Sequence, residues 1–324
     1  MNLVLKHTLL SAKHHPLQAL SAILMVLGAL SCVFTPNNFI FKQSANYTDR
    51  IAIGYLLISM LFLVLRKQRL MFVGLACCAV LCLFLKNALN TKLIQPMLTS
   101  APKIKVAQFT ISASEDEKQA LLDAILNTDA DIIGFQEVNP YWHRVLATVL
   151  ATQYPYSSAL SRVDIFGLAV FSKKPILKTD TFFYKTIPNL AAYILQGTDT
   201  IQFVVSHTEP PFNRSGLEEL KAHLNSIAAY CTKQVAPLIA VGNYNAVLWS
   251  DEIQQFRRVS RLEDSRSGYM ANYPEGKFSL FNIPIDHIFF SRQFRCIDFK
   301  PIEASNIGNI GIGGMYQLDT HVTQ

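Results

Sequence analysis

A chain of 324 residues with a formal net charge of +6 can form one large domain or two smaller ones. Half of its residues are hydrophobic and only 16% are charged, which indicates a membrane part. Residues 1–100 carry nine basic side chains and one acidic side chain, whereas residues 101–324 carry 20 basic and 22 acidic ones. The excess charge therefore belongs to the N-terminal third, and it gives no support to a nucleic-acid-binding surface.

Three apolar runs occupy the N-terminal third, at residues 17–35, 51–65 and 70–85. The first is about long enough to cross the hydrocarbon core of a bilayer. The other two are shorter, but the Lys and Arg residues that flank them can snorkel and so lengthen the span. A short apolar run can also be a buried helix of a soluble protein. Three in succession predict a membrane region at residues 1–89 with three transmembrane helices.

The basic residues around these runs predict an orientation. Lys6 and Lys13 precede the first run, and the sequence Arg-Lys-Gln-Arg at residues 66–69 joins the second to the third. Both groups face the cytoplasm if the N-terminus is inside, although four other basic residues then fall on the opposite side. We therefore expect a multi-pass protein of the inner (cell) membrane, with a periplasmic or extracytoplasmic soluble domain.

A linker at residues 90–103, which contains Pro96 and Pro102, separates this region from a different pattern. From Ile104 onward, short apolar runs typical of buried strands alternate with amphipathic segments typical of helices. Several of the strand-like runs end in polar residues. This alternation predicts a layered α/β domain at residues 104–324, with a site where the strands end.

The cysteines give little chemistry. Four of the six lie in the apolar runs, where they behave as small hydrophobic residues. Cys231 and Cys296 belong to the α/β domain and allow at most one disulfide. No Cys-x-x-Cys or Cys/His zinc spacing is present in the sequence.

Polar side chains interrupt the apolar strand patterns at four places. Glu137 follows "DIIGFQ", and His207 follows "FVVS". The same holds for Asn243 and Asn245 after "LIAVG", and for Asp286 within "IPIDHIFF". Oxygen-rich groups suit Mg²⁺ or Mn²⁺, so the pattern predicts metal-assisted hydrolysis of a phosphoester. Each residue also has a structural alternative: Glu137 as a salt-bridged strand end, His207 as a hydrogen-bonded turn residue, and Asp286 with His287 as a structural pair.

The order of these segments resembles the endonuclease/exonuclease/phosphatase superfamily, whose fold is that of deoxyribonuclease I. The resemblance covers roughly residues 104–324 and rests on "IGFQEV", "GLAVFSKKPI", "SHTEPP", "GNYNAVLWS" and "IPIDHIFFS". It implies a two-sheet α/β sandwich, and the three preceding runs are similar to those of bacterial membrane-anchored members. It also implies a Mg²⁺-dependent hydrolase, with Mn²⁺ as a second candidate.

Site roles follow from the resemblance residue by residue. Glu137 matches the metal-binding glutamate of the superfamily. His207 matches a histidine that protonates the leaving oxygen or holds the phosphate, and Asn245 matches an asparagine that hydrogen-bonds the scissile phosphate. Asp286 matches the acid that orients a second histidine near the C-terminus.

The chain departs from the superfamily pattern at three places. Thr110 stands where members usually have a metal-side asparagine, and Asn243 stands where they have the aspartate that orients and deprotonates water. An amide cannot accept that proton at neutral pH. The usual C-terminal Gly-Ser-Asp-His is missing, and the nearest substitutes are Asp319 for the metal-side aspartate and His321 for the catalytic histidine.

These departures leave three functions open. The first is a membrane-anchored, Mg²⁺-dependent phosphodiesterase or endonuclease-like hydrolase with weakened activity. The second is a catalytically inactive member that acts as a membrane-tethered binding module. The third is a phosphatase of lipid or inositol headgroups. The near-neutral domain favours small phosphoesters over long nucleic acids, which stay possible partners beside the lipid membrane.

Overall fold

The computed structural model describes residues 15–35, 38–88, 103–111, 117–266, 283–305 and 307–318. The chain forms two compact units, Met1–Ala88 and Leu89–Gln324. The residues predicted as a linker lie outside the described residues, apart from Lys103, which begins the first strand of the second unit.

The first unit is helical. Its described helices are α1 (Pro16–Phe34), α2 (Phe39–Ala45), α3 (Thr48–Val64) and α4 (Gln68–Ala88). Helices α1 and α4 are long and apolar enough to cross a membrane. The second predicted run, residues 51–65, falls almost entirely within the 17-residue helix α3. Helices α2 and α3 meet at an angle of 73°; counted as one broken span, they bring the total to three.

The apolar side chains of this unit point outward rather than inward. Leu24 and Leu57 are 60% and 61% exposed, whereas the buried positions are held largely by small residues such as Ala29 and Ala52. Small residues let helix backbones approach closely, as in membrane bundles. The Tyr55 hydroxyl also donates a 2.6 Å hydrogen bond to the Met25 carbonyl.

The second unit contains two mixed β-sheets, each of six strands. The first has the order β11-β12-β1-β2-β4-β3, and the second has the order β5-β6-β7-β8-β10-β9. The strands are β1 (Lys103–Thr110), β2 (Ile132–Gln136), β3 (Tyr156–Leu160), β4 (Leu168–Ser172), β5 (Ile176–Tyr184), β6 (Ile187–Gln196), β7 (Asp199–His207), β8 (Leu238–Asn243), β9 (Glu263–Asp264), β10 (Asp286–Phe290), β11 (Phe294–Ala304) and β12 (Gly308–Leu318).

Four described helices belong to the second unit: α5 (Lys118–Asn127), α6 (Pro140–Leu150), α7 (Arg214–Thr232) and α8 (Asp251–Ser260). Helices α5 and α6 pack on the outer face of the first sheet, where Leu121 and Leu146 join a core with Phe135. Helix α7 lies on the outer face of the second sheet, where Tyr230 stacks on Phe182 at 3.8 Å. The helices therefore leave the two inner faces to pack against each other.

A continuous apolar core fills the space between the sheets. Side chains alternate between the two faces of a strand, so every second residue points into this core. The core includes Val106 of β1, Val205 of β7 and Val241 of β8. The structure confirms the predicted two-sheet α/β sandwich. Cys231 and Cys296 are free cysteines, so the disulfide that the sequence left open does not form.

Candidate functional site

At one end of the sandwich, the inward-facing apolar rows finish in polar side chains. In β7 the inward residues Phe203 and Val205 are followed by His207. The same row in β8 ends in Asn243, and in β10 it begins with Asp286. On the facing sheet, the inward rows of β1 and β2 end in Thr110 and Gln136.

Strand register brings three of these side chains next to one another. His207 pairs with Asn243 across the parallel strands β7 and β8. Asn243 pairs in turn with Asp286 across the antiparallel strands β8 and β10. Residues directly opposite in neighbouring strands have Cβ atoms only about 5 Å apart. Three of the residues predicted for the site therefore stand in a row on one sheet.

The turn after β8 is fixed by hydrogen bonds between polar side chains and backbone. The Asn243 side-chain oxygen accepts a 3.0 Å hydrogen bond from the backbone N–H of Asn245, which has a left-handed φ of 49°. The Asn245 side chain donates to the Thr208 carbonyl at 2.6 Å. Just before the turn, a Cβ on Gly242 would lie 1.9 Å from the Ser206 carbonyl oxygen. Only glycine fits where β7 and β8 approach so closely.

Glu137 follows β2 in a left-handed conformation, with φ of 60°. Such a conformation is uncommon for a residue with a side chain and is often found at functional sites. Its neighbour Val138 is held by two 3.1 Å backbone hydrogen bonds, one donated to Gly167 and one accepted from Arg162. Burial raises the pKa of the Glu137 carboxyl group. The segment 161–167, between β3 and β4, is therefore bonded to the residue that directly follows Glu137.

His207 is almost completely buried beside Glu137. Its Nε2 atom lies 3.7 Å from Glu137 Oε1, too far for a hydrogen bond, and neither ring nitrogen has a hydrogen-bond partner within the described part of the chain. The Phe166 ring lies 6.0 Å from the imidazole. Burial, with a smaller contribution from His223, lowers the pKa of His207 to about 4. The imidazole is therefore neutral at physiological pH, with one donor and one acceptor nitrogen.

A glutamine cluster on the first sheet was not predicted from the sequence. Gln108 donates to the side-chain oxygen of Gln136 at 2.5 Å, and the Thr110 hydroxyl donates to the same oxygen at 3.3 Å. All three side chains are buried. The signal was present in the sequence, because Gln108 occupies an inward position of an apolar strand. The Thr110 hydroxyl is thus engaged by Gln136, and its role at a metal stays a prediction.

A second buried network, which the sequence also did not reveal, lies behind the site. His287 Nδ1 is 2.7 Å from Asp264 Oδ2, and His287 Nε2 is 2.9 Å from the Ala246 carbonyl oxygen. Both partners offer acceptor oxygens, so the imidazole is held by a hydrogen-bonding group on each side. Arg266 donates to the Asp286 carbonyl at 2.7 Å. The alternative of a structural pair between Asp286 and His287 is wrong, because His287 is bonded to Asp264 and Ala246 instead.

The carboxyl group of Asp264 is ionised despite its burial. Burial by itself would raise its pKa, but the charge of His287, followed by that of Arg266, lowers the pKa below its ordinary value. Asp264 and His287 therefore form a buried ion pair. This pair fixes Ala246, which comes directly after Asn245 in the turn described above.

Comparison with known proteins decides the family. The model of the Endonuclease/Exonuclease/phosphatase family matches residues 106–306, which is more than half of the chain. The chain belongs to this family. No protein in the curated set matches it.

Solved structures of the family share this fold at low sequence identity. An endonuclease/exonuclease/phosphatase from Bacteroides vulgatus is 16% identical, with a TM-score of 0.56, and covers 67% of this chain and 100% of its own. Humanized D. rerio TDP2 is 14% identical, with a TM-score of 0.56, and the match covers 66% of this chain and 99% of the TDP2 chain. The human Nocturnin catalytic domain is 14% identical, with a TM-score of 0.54, and the match covers 67% of this chain and 94% of the Nocturnin chain. Family membership assigns the chain to the phosphoester hydrolases at a coarse level.

Members of the family generally use divalent metal ions. The oxygen ligands of this chain fit a hydrated ion that is held by few side chains. Among the described residues, no three His, Cys, Asp or Glu side chains are close enough to enclose an ion. Mg²⁺, however, often keeps several waters and binds through one or two carboxylates together with substrate phosphate. The Glu137 side chain is 29% exposed and fits a hydrated ion of this kind. Asp319 and His321 lie outside the described residues, so their roles stay predictions.

Proposed function

We propose that the chain is a membrane-anchored, Mg²⁺-dependent phosphoester hydrolase of the phosphodiesterase type, with weakened activity. The observation that carries the proposal is the row of His207, Asn243 and Asp286 on adjacent strands, with Glu137 3.7 Å from His207. A neutral imidazole, amides and carboxylates gathered at one end of a rigid sandwich suit the binding of a phosphoester and a hydrated cation.

Glu137 would hold the ion, with Mn²⁺ as an alternative to Mg²⁺. When bound, the ion would neutralise charge on the phosphoryl oxygens and orient the ester. The raised pKa of Glu137 fits this role, because a cation beside a half-buried carboxylate favours its charged form. Thr110 and Asp319 are the other candidate ligands on the metal side.

His207 would hold the phosphate rather than protonate the leaving oxygen. With a pKa of about 4, its imidazole carries no extra proton at neutral pH. Its neutral ring can still donate one hydrogen bond to a phosphate oxygen. Asn245 would donate a second hydrogen bond, since one amide hydrogen is used on the Thr208 carbonyl and the other is left for the substrate.

Weakened activity follows from Asn243. Its side-chain oxygen already accepts the Asn245 N–H, and an amide cannot take a proton from water. Losing a general base typically costs about 10²- to 10⁴-fold in rate. Asp286 lies directly opposite, so an aspartate at position 243 would face a second carboxylate, which raises the pKa of one of the two. A raised pKa suits a general base near neutral pH.

Two solved structures of the fold support an anionic substrate. D. rerio TDP2 has been crystallised with a single strand DNA product, and the human Nocturnin catalytic domain with a bound sulfate anion. By analogy, we propose a phosphoester substrate for this chain, with nucleic acid as one candidate source. From the positive residues flanking the apolar helices, we also propose that the domain lies on the extracytoplasmic side of the cell membrane.

The test is Asn243→Asp in the full chain, purified in detergent micelles, with bis(4-nitrophenyl) phosphate and Mg²⁺. The substitution retains an oxygen for the Asn245 N–H, so the turn should be preserved. We expect slow Mg²⁺-dependent turnover by the wild type and an increase of about 10²-fold or more in the variant. Equal turnover by the two proteins would contradict the role of position 243.

The departure at Asn243 also favours a second function, an inactive member of the family that binds phosphoesters at the membrane without cleaving them. The same assay separates the two functions. Turnover at background by the wild type, with activity appearing only in Asn243→Asp, would support the binding module and overturn the hydrolase.

A further inference from the structure

Exposed apolar side chains lie at the end of the sandwich that carries the proposed site. Val163 is 95% exposed, Phe212 is 81% exposed and Phe183 is 58% exposed. They come from three separate connections: the β3–β4 loop, the β7–α7 loop and the end of β5. We call these three residues the apolar rim. Single exposed apolar residues are common, but three around one site point to a binding surface.

The topology places the apolar rim at the site end of the sandwich. Val163 belongs to the loop whose Phe166 lies 6.0 Å from the His207 ring. Phe212 lies five residues after His207, directly before Asn213, which caps the N-terminus of α7. Phe183 is the next-to-last residue of β5, and the end of β5 pairs with the start of β6. At the start of β6, Asn189 pairs with Ser206, which directly precedes His207.

The two sheets also bring Val163 and Phe183 to one side of the proposed site. The loop with Val163 follows β3, and Phe183 is the next-to-last residue of β5; these two edge strands contact each other across the sandwich. Ile165, in the same loop as Val163, is a further 40% exposed. Two of the three rim residues therefore lie beside the β3 and β5 edges.

The charge around the rim does not favour a polyanion. Arg162, the nearest cation in the β3–β4 loop, is paired with Asp164, with Nη2 and Oδ2 2.6 Å apart. Residues 101–324 as a whole carry 20 basic and 22 acidic side chains. Nucleic acids are bound mainly through clusters of unpaired Lys and Arg. Apolar loop tips without a cluster of basic residues instead suit insertion at the boundary between headgroups and acyl chains.

We propose that the apolar rim docks the site on a lipid surface, so that its substrate is a phosphoester carried by an amphiphile. This inference rests on the proposed hydrolase function and names its substrate class. The same chain contains two helices that are long and apolar enough to cross a membrane. If the bent pair α2 and α3 is counted as one span, the number of candidate spans is three. A phosphoester held in a bilayer would present its polar group to Glu137 and His207 while its apolar part contacts the rim.

The test compares two substrates with the full chain in mixed micelles: a long-chain phospholipid and the water-soluble bis(4-nitrophenyl) phosphate. The variant is Val163→Ser combined with Phe212→Ser. Its matched control is Val235→Ser, which changes a 90% exposed valine before β8, at the opposite end of the sandwich. We expect the ratio of kcat/KM for phospholipid to kcat/KM for the soluble diester to fall at least about tenfold in the rim variant. The ratio should be unchanged in Val235→Ser.

Each outcome decides between the two proposals. Turnover of the soluble diester with an unchanged ratio in the rim variant would overturn the lipid-docking inference and leave the hydrolase intact. Faster cleavage of a single-stranded oligonucleotide than of phospholipid would also overturn it. No turnover of any substrate would overturn the hydrolase function. In that case Phe212→Trp in nanodiscs made with brominated acyl chains still tests docking, because quenching of the added tryptophan supports insertion and its absence contradicts it.

Discussion

Two buried histidines of the second sheet, His207 at the end of β7 and His287 near the start of β10, have opposite environments. Neither ring nitrogen of His207 has a hydrogen-bond partner among the described residues, and its pKa is lowered to about 4 by burial. Both ring nitrogens of His287 are bonded, one to Asp264 and one to the Ala246 carbonyl. Buried polar groups are usually satisfied, so an unsatisfied one calls for an explanation. The imidazole of His207 is therefore available to a ligand, whereas that of His287 stabilises the fold.

The position of each residue on its strand accounts for the difference. His207 lies on the inward face, at the end of β7, where the apolar core stops and Glu137 approaches. His287 lies on the opposite face of β10 from Asp286, where β9 supplies the carboxylate of Asp264. Two histidines that look alike in the sequence thus differ because one ends the inward row beside Glu137 and the other faces a charged partner.

The largest effect should follow from removing the imidazole of the first histidine. We expect His207→Leu to lower Mg²⁺-dependent turnover by about 10²- to 10³-fold, since the phosphate loses a hydrogen-bond donor. The melting temperature should stay the same or rise, because the imidazole has no hydrogen-bond partner to lose among the described residues. His143→Leu, on the outer helix α6, is the control. A large loss of stability in His207→Leu would show that this histidine is structural as well.

Removing the second histidine should have the reverse pattern. We expect His287→Gln to lower the free energy of unfolding by about 3 to 5 kcal/mol, because the carboxylate of Asp264 loses its charged partner in the interior. The double variant with Asp264→Asn should lose less than the sum of the two single changes. Denaturant unfolding measures both, and additive losses would contradict a direct ion pair.

A smaller effect should appear as the pH is lowered. The unfolded chain binds a proton on each histidine near pH 6.5, whereas folded His207 and His223 each bind one only near pH 4. Between these values the unfolded state holds more protons, so stability falls as the pH decreases from 6.5 to 4. The loss should reach up to about 3 kcal/mol for each histidine. His207→Leu should remove about half of it; an unchanged pH profile in this variant would contradict a neutral, buried His207.

The sandwich was predictable from the sequence because it depends on local patterns. Apolar strands, polar strand ends and amphipathic helices are set by neighbouring residues, and Glu137, His207, Asn243 and Asp286 stood out where these patterns break. The bend between α2 and α3 was not predictable, because composition counts apolar residues without fixing their direction.

The parts of the site that the sequence did not reveal depend on contacts between distant residues. Asp264 meets His287 across 23 positions, and Gln108 meets Gln136 across 28. The sequence also did not reveal that His207 has no hydrogen-bond partner in the part of the chain that the structure describes, since only the packing of other elements decides whether a buried histidine has one. Register brought Asn243 opposite Asp286, which a one-dimensional pattern cannot specify.

The most direct test of the central claim is Glu137→Gln in the full chain, assayed for Mg²⁺-dependent hydrolysis of bis(4-nitrophenyl) phosphate. Glu218→Gln, an exposed site on α7 paired with Lys221, is the matched control. We predict that Glu137→Gln removes the Mg²⁺-dependent turnover while its melting temperature stays close to that of the wild type, and that Glu218→Gln retains the turnover. Wild-type activity in Glu137→Gln would contradict a catalytic site at this end of the sandwich.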